Sequence, residues 1–193
     1  MRLRIASDLH DDVGSNLGSI ALLSQSAHRE ADASSAPAFR EIHRLAQDTA
    51  ESMRDIVWFI NPDEDQLDKL ALRMKEAAAM LLSGTKWEFS TPDELPIHSL
   101  SPEFKRHVFM IFKECLNNIR KHAQAANVVI QLKAPSTLEL TIRDDGIGFD
   151  PALRACGHGL DNMERRADEN GWQLRIVSRP GAGTTVHLSA PLD

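Results

Sequence analysis

Apolar residues recur at helical spacing through the first third of the chain and at strand spacing through much of the last third. Leu9, Val13, Leu17, Ile20 and Leu23 follow one another at intervals of four, four, three and three, with Ala6 upstream. This stripe predicts one amphipathic helix from residue 1 to about 31. It is already running at residue 3 with no cap before it, so the helix is expected to continue upstream in a longer parent. Asp32 to Pro37 (DASSAP) predicts a turn. A second helix is expected from about Ala38 to Ile60. There Phe39, Ile42, Leu45 or Ala46, Thr49, Met53, Ile56 and Ile60 alternate by three and four, the spacing of a bundle seam. Two helices joined by a short turn form an antiparallel hairpin that cannot cover its own stripe. Two copies making a four-helix bundle is the economical solution.

Asn61 and Pro62 break the second helix, and Asp63 to Gln66 reads as a polar linker between domains. The expected domains are therefore 1–62 and 67–193. In the second, Leu67 to Leu82 predicts a helix with Leu70, Met74, Ala77 and Leu81 on one face. Trp87 to Ser90 predicts a short strand. Phe104 to Ala123 predicts the central helix, with Phe104, Val108, Ile111, Phe112, Cys115 and Ile119 on its apolar face. Ser101 and Pro102 supply its N-cap and first position. Asn127–Leu132 and Leu138–Arg143 read as a hairpin of strands around Ala134–Pro135–Ser136. Asp144 to Gly157 reads as a glycine-rich loop and Leu160 to Glu169 as a helix. Trp172–Ser178 and Gly183–Ser189 read as strands around Arg179–Pro180–Gly181. The fold class expected is a helical hairpin followed by an α+β sandwich with an antiparallel-looking sheet covered on one face.

Composition narrows the classes. The chain is 42% hydrophobic and 26% charged, as in a globular protein. A net charge of −6 argues against a nucleic-acid footprint over the whole chain. Two cysteines, Cys115 and Cys156, lack metal-ligand spacing, and no secretory signal is apparent, so a cytoplasmic setting is expected. No apolar run is long enough to span a bilayer, so no membrane contact is expected of this stretch.

The chemistry gathers on the central helix and the loops after it. Glu114, Asn118, Lys121 and His122 stand at i, i+4, i+7 and i+8. In α geometry they share an arc of roughly 100° beside the apolar face. Oxygen ligands for a hard cation and a point charge for phosphate suit a metal–nucleotide complex. Asp144–Asp145–Gly146–Ile147–Gly148 follows a strand, where a carboxylate can accept from an exocyclic amine and glycines let the backbone approach a flat ring. Gly157–His158–Gly159 opens a helix, an anion site through its free N–H groups. Gly181–Ala182–Gly183–Thr184–Thr185 leads into a strand. Taken singly, each has an ordinary counterpart: a solvated helix flank, a turn, a cap, a hairpin.

Their order is specific. A helix bearing ExxxNxxKH, a strand ending in DxGxG, GxGL before a helix and GxGTT into a strand resemble the N box and three glycine boxes of the Bergerat (GHKL) ATP-binding fold, found in gyrase and histidine kinases. The resemblance covers roughly Leu67 to Asp193. It implies that Asn118 binds Mg²⁺, that Glu114 completes the metal shell through water, and that Lys121 and His122 meet the phosphates of ATP. It further implies that Asp144 reads the adenine amine, Gly146 and Gly148 shape its pocket, Gly157 and Gly159 belong to a closing lid, and Thr185 lies near adenine and supports Asp144.

In the first helix, His10 lies roughly 70° off the apolar stripe, with Gly14 and Gly18 four and eight residues on and Asp11 beside it. The glycines are expected to leave a bare groove for a bulky phosphate donor. A carboxylate on one ring N–H fixes the tautomer that makes the other nitrogen nucleophilic. DLHDDVGSNL resembles the H box of histidine kinases, and MRDIVWFINP at Met53 to Pro62 resembles the end of the same class's second bundle helix. The resemblance implies autophosphorylation of His10 from ATP, with Asp11 as orienting base. Transfer then goes to an aspartate of a response regulator, whose output in this class is a helix-turn-helix. It also implies a homodimer and a parent anchored to a membrane or fused to a sensor. In that class the fifth residue after the histidine is often a phosphatase glutamine; here it is Ser15, followed by Asn16, which puts phosphatase activity in question. A Bergerat-type serine kinase or ATPase, and a non-catalytic dimeric nucleotide-binding adaptor, are the alternatives. His28, His43, His98, His107, His158 and His187 have no ligand-spaced partners.

Overall fold

The computed structural model describes residues 15–30, 36–151 and 158–192. The chain divides into two compact units, Met1–Glu64 and Asp65–Asp193.

The first unit pairs α1 (Ser15–Glu30) with α2 (Ala36–Ile60). Small residues, Ala21, Ser24, Ala46 and Ala50, are buried along them, and the imidazole Nδ1 of His43 lies 3.0 Å from the Ala21 carbonyl oxygen. The larger apolar residues of the predicted seams face outward: Ile20, Leu23, Ile42, Leu45 and Ile56 are exposed. Small side chains let two backbones approach closely, and the bulky stripe is left for something else to cover. Trp58 and Phe59 pack edge to face at 5.5 Å, and Trp58 Nε1 donates to Glu64 at 3.2 Å. They sit in the last turn of α2, just before the chain leaves the hairpin. Pro62–Glu64 forms a single 3₁₀ turn.

The second unit is a five-stranded sheet with helices on one face. Its elements are α3 (Leu67–Leu81), β1 (Lys86–Ser90), α4 (Pro102–Asn118), β2 (Asn127–Lys133), β3 (Thr137–Asp144), α5 (His158–Glu169), β4 (Gln173–Ser178) and β5 (Thr184–Pro191). Strand order is β1-β2-β3-β5-β4. One feature departs from the antiparallel reading: β1 pairs with β2 in parallel, Lys86 opposite Asn127. The connection between them runs through α4, the long crossover that a parallel pair requires. Alternation along the strands buries Val128, Ile130 and Leu132 of β2 and Leu138, Leu140 and Ile142 of β3. The covering helix α4 buries Phe109 and Phe112 completely, worth about 1.5–3 kcal/mol each. Ser101 caps it by accepting from the Phe104 N–H at 3.1 Å, with Pro102 following.

Asp65 and Gln66, expected in the linker, belong instead to the structure of the second unit. The Leu100 N–H donates to the Asp65 carbonyl at 2.6 Å, and Gln66 bridges Ser99. The Asp65 carboxylate lies 2.6 Å from Lys105 Nζ, which is fully buried on α4. Cys115 is core, its Sγ 3.5 Å from Met163 Sδ. Burial, and then the neighbouring Glu114 charge, push its thiol up to about 12, so it is inert at neutral pH.

Candidate functional site

The site is assembled where the C-terminal end of α4 meets the loop after β3 and the turn before β5. Glu114 and Asn118 lie one turn apart, both half-buried. The start of α5 presses against them. A Cβ on Gly159 would run into Glu114 Oε1 and come within 3.7 Å of Asn118 Nδ2. The absence of a side chain at 159 thus brings the backbone of the second glycine box onto the acid and amide of α4.

Beyond Asn118 the helix changes pitch. Ile119–Ala123 is a π turn, ended by Gln124 at φ 51°. A π turn closes over five residues instead of four, so the regular relation among Glu114, Asn118, Lys121 and His122 holds only through Asn118. Lys121 and His122 are displaced from the expected arc and are both exposed.

The π turn anchors the adjacent loop. Its last residue, Ala123, accepts from the Ile147 N–H at 2.8 Å. A Cβ on Gly146 would collide with the same Ala123 carbonyl. Gly148 takes φ 57°, a left-handed conformation that costs most residues free energy, and its Cα faces the Arg179 and Gly183 carbonyls. The Gly181 N–H then donates to the Ile147 carbonyl at 2.6 Å, fastening the turn before β5 to this loop.

Two neighbouring carboxylates here have opposite characters. Asp144 is 4% exposed, and its Oδ1 accepts from the Gly146 N–H at 2.9 Å. Burial holds its carboxyl above the usual aspartate range, against the opposing pull of the Gly146 and Thr184 N–H groups. Asp145 is exposed. Its Oδ1 accepts from the Ala126 and Asn127 N–H groups, each at 2.8 Å, and its Oδ2 from Asn127 Nδ2 at 2.7 Å. The Asn127 N–H and amide, first among the causes, hold it below the usual range. Asp145 clamps the start of β2, while Asp144 stays buried against the loop that follows it. Asp145→Ala is expected to lower the thermal midpoint and to flatten the acid side of the stability–pH curve. A depressed carboxylate contributes stability above its unfolded pKa and loses it as pH falls through the folded one. A thermal scan between pH 7 and pH 3 reads both effects.

Thr185 needs correction. The β3–β5 register sets Asp144 opposite Thr184 and Arg143 opposite Thr185. Period-two alternation puts Thr184 on the face of Asp144. Thr185 goes to the other face with His187, whose Nδ1 lies 3.0 Å from Thr141 Oγ1. The residue paired opposite Asp144 on that face is Thr184. Strand parity could have found it, since Val186, Leu188 and Ala190 are the buried positions of β5. Ser178, buried at the end of β4 and bonded to Phe149, Gly183 and Thr184, gave no signal in the sequence. His10, Asp11 and Gly157 lie outside the described residues, as do the side chains of Ser15 and Asn16.

Residues 2–65 match the family model described as histidine kinase. Residues 104–193 match the model described as histidine kinase-, DNA gyrase B- and HSP90-like ATPase. The chain belongs to the histidine kinase family. Its resemblance to sensor histidine kinases runs over nearly its whole length. It is 31% identical over 196 residues to the sensor histidine kinase YhcY of Bacillus subtilis, covering 99% of this chain and 50% of that protein. It is 28% identical over 198 residues to LiaS of the same organism, covering 99% and 54%. The chain thus spans about half the length of the sensor kinases it matches. Among solved structures, the histidine kinase domain of the Erythrobacter litoralis EL346 blue-light activated kinase aligns with a TM-score of 0.58 at 15% identity, covering 92% of this chain and 94% of that one. Full-length ShkA, solved with AMPPNP, aligns with a TM-score of 0.60 at 14% identity, covering 97% and 45%. These structures share the histidine kinase fold: a helical part, then an α/β sheet domain. In this chain the ATPase match includes Glu114, Asn118, Asp144 and all three glycine boxes, and the other match includes His10 and Asp11.

Proposed function

We propose that the chain is the phosphotransfer core of a two-component sensor kinase, which phosphorylates its own His10 from ATP and passes the phosphoryl group to an aspartate on a response regulator's receiver domain. The observation that carries this reading is one convergence. Glu114 and Asn118, the Asp144–Gly148 loop and Gly159 meet in a unit that matches an ATPase family, and the stretch preceding it matches a histidine kinase family.

Residues 1–62 then serve as dimerisation and phosphoacceptor hairpin and 67–193 as the ATP-binding domain. Asp144 accepts from the adenine amine, and Gly146 and Gly148 let the ring lie against backbone. Gly157 and Gly159 flank the phosphates, which meet Lys121 and His122. Among the described residues no three His, Cys, Asp or Glu cluster to hold a metal. Glu114 and Asn118 offer two hard oxygen donors, which fits Mg²⁺ arriving with nucleotide and keeping phosphate and water ligands. Bound there, it would neutralise triphosphate charge. The His10 ring nitrogen attacks the γ-phosphorus, the bond to the β–γ bridging oxygen breaks, and ADP leaves. Asp11 holds the other ring N–H and stabilises the charge that develops. Ser15 and Asn16 are the candidates for placing a water if the chain also dephosphorylates its regulator.

A homodimer is supported by the exposed Ile20, Leu23, Ile42, Leu45 and Ile56, which a second copy would cover. The net charge of −6 speaks against a nucleic-acid partner. Among the described residues no helix is long and apolar enough to cross a membrane. A cytoplasmic location for this part, within a parent anchored elsewhere, accords with that.

The test is incubation with radiolabelled Mg-ATP beside His10→Gln. Acid-labile, base-stable label is expected on the wild type and none on the variant. Acid-stable label on both would replace the reading with a serine or threonine kinase. Absence of label despite measured ATP binding would reduce the chain to a binding module.

A further inference from the structure

Ser178 is buried, with 6% of its surface exposed, at the end of β4, on the far side of Thr184 from Asp144. A serine hydroxyl has one hydrogen to give and two lone pairs to fill. All three are used. The hydroxyl donates to the Gly183 carbonyl at 3.1 Å. It accepts from the Phe149 N–H at 2.9 Å, and the Thr184 hydroxyl, also 2.9 Å away, fills the remaining lone pair.

The Gly183 carbonyl belongs to the peptide that leads into Thr184, and Thr184 stands opposite Asp144 in the β3–β5 register. Ser178 therefore holds both the backbone and the hydroxyl of the residue paired with Asp144. Through Phe149 the same hydroxyl holds the far end of the loop that begins at Asp144 and carries Gly146 and Gly148. The carboxylate and the loop that would flank a base are thus referenced to one atom.

We infer that Ser178 is the positioning residue of the adenine carboxylate, setting the direction in which Asp144 faces the base. The inference rests on the proposed nucleotide reading and names the residue behind its specificity. Ser178 touches no nucleotide in this scheme; it acts through Thr184, paired opposite Asp144, and through the loop from Asp144 to Phe149. Adenine and hypoxanthine differ at the group Asp144 would meet, an amine donor against an oxo acceptor. A misdirected carboxylate should therefore lose affinity for the first and little for the second.

The experiment measures ADP and IDP affinities by calorimetry on the full chain for the wild type, Ser178→Ala and Ser178→Thr. ADP binding should weaken about five- to tenfold in Ser178→Ala, the effect of one lost hydrogen bond. IDP binding should stay level, and Ser178→Thr, which keeps the hydroxyl, should restore the ADP preference. Equal weakening of both nucleotides, or an unchanged preference with intact ADP binding, would overturn the inference and leave the nucleotide reading standing. A wild type that binds neither nucleotide would overturn both. Should Ser178→Ala fail to fold, Ser178→Cys, near in shape and a poor donor, carries the same comparison.

Discussion

Asp144→Asn is expected to weaken adenine nucleotide binding by about a hundredfold or more while leaving the fold intact. The Gly146 N–H donates to this carboxylate. An amide oxygen can accept that bond, which leaves the amide NH₂ aimed at the adenine amine. Donor then faces donor in a buried place, with no water to relieve either. Titration calorimetry with ADP, beside a thermal scan of the unliganded chain, separates the loss of binding from any loss of stability. Binding within threefold of wild type would remove Asp144 from the adenine pocket.

The same carboxyl gives a pH dependence with a definite sign. Burial raises it above the ordinary aspartate range, so the folded chain holds this proton more tightly than the unfolded one. Ionisation of Asp144 thus costs the unliganded chain stability at neutral pH, and that cost disappears as pH falls through the raised pKa. Nucleotide binding has the opposite sign, because only the ionised form accepts from the amine. The extra stability conferred by ADP should therefore begin to shrink, on acidification, at a higher pH than an unperturbed aspartate would give.

Much of this site was legible because its residues sit on strongly periodic elements. The apolar face of α4 announced the helix, and with it the placement of Glu114 and Asn118. Asp144 stands at a strand end, and the glycines mark close approaches that the structure displays at 146, 148 and 159. What was not legible depends on geometry that sequence spacing does not carry. A π turn changes residues per turn without any composition signal, so Lys121 and His122 were placed by α spacing. Which of two adjacent threonines faces inward is a matter of strand register, fixed by pairing with β3. The parallel pairing of β1 follows from a crossover, which a local reading of five residues cannot reveal. Asp145 and Ser178 work by bonding backbone groups that are distant in sequence, 18 or 19 residues for one and 29 for the other.

Lys105 was the least legible residue and carries the second large prediction. It lies next to Phe104, four positions before Phe109, in a helix that looks apolar on that side, and is fully buried. Its ammonium meets the Asp65 carboxylate at 2.6 Å, with Asp65 14% exposed. Removing one charge of such a pair leaves the other desolvated against it, so Lys105→Met should cost the second unit about 3–5 kcal/mol. The double variant Lys105→Met with Asp65→Leu should recover most of that loss, since an apolar pair of similar volume is often as stable as a buried ion pair. Residue-resolved amide exchange reads the effect, with α4 losing protection in the single variant and regaining it in the double. Because α4 carries Glu114 and Asn118, the single variant should also bind ADP more weakly, in step with its exchange rates. A single variant as protected as wild type would show that the pair contributes nothing net. A double variant no better than the single would show instead that Asp65 matters for its place beside Leu100 and Ser99, independently of the charge it presents to Lys105.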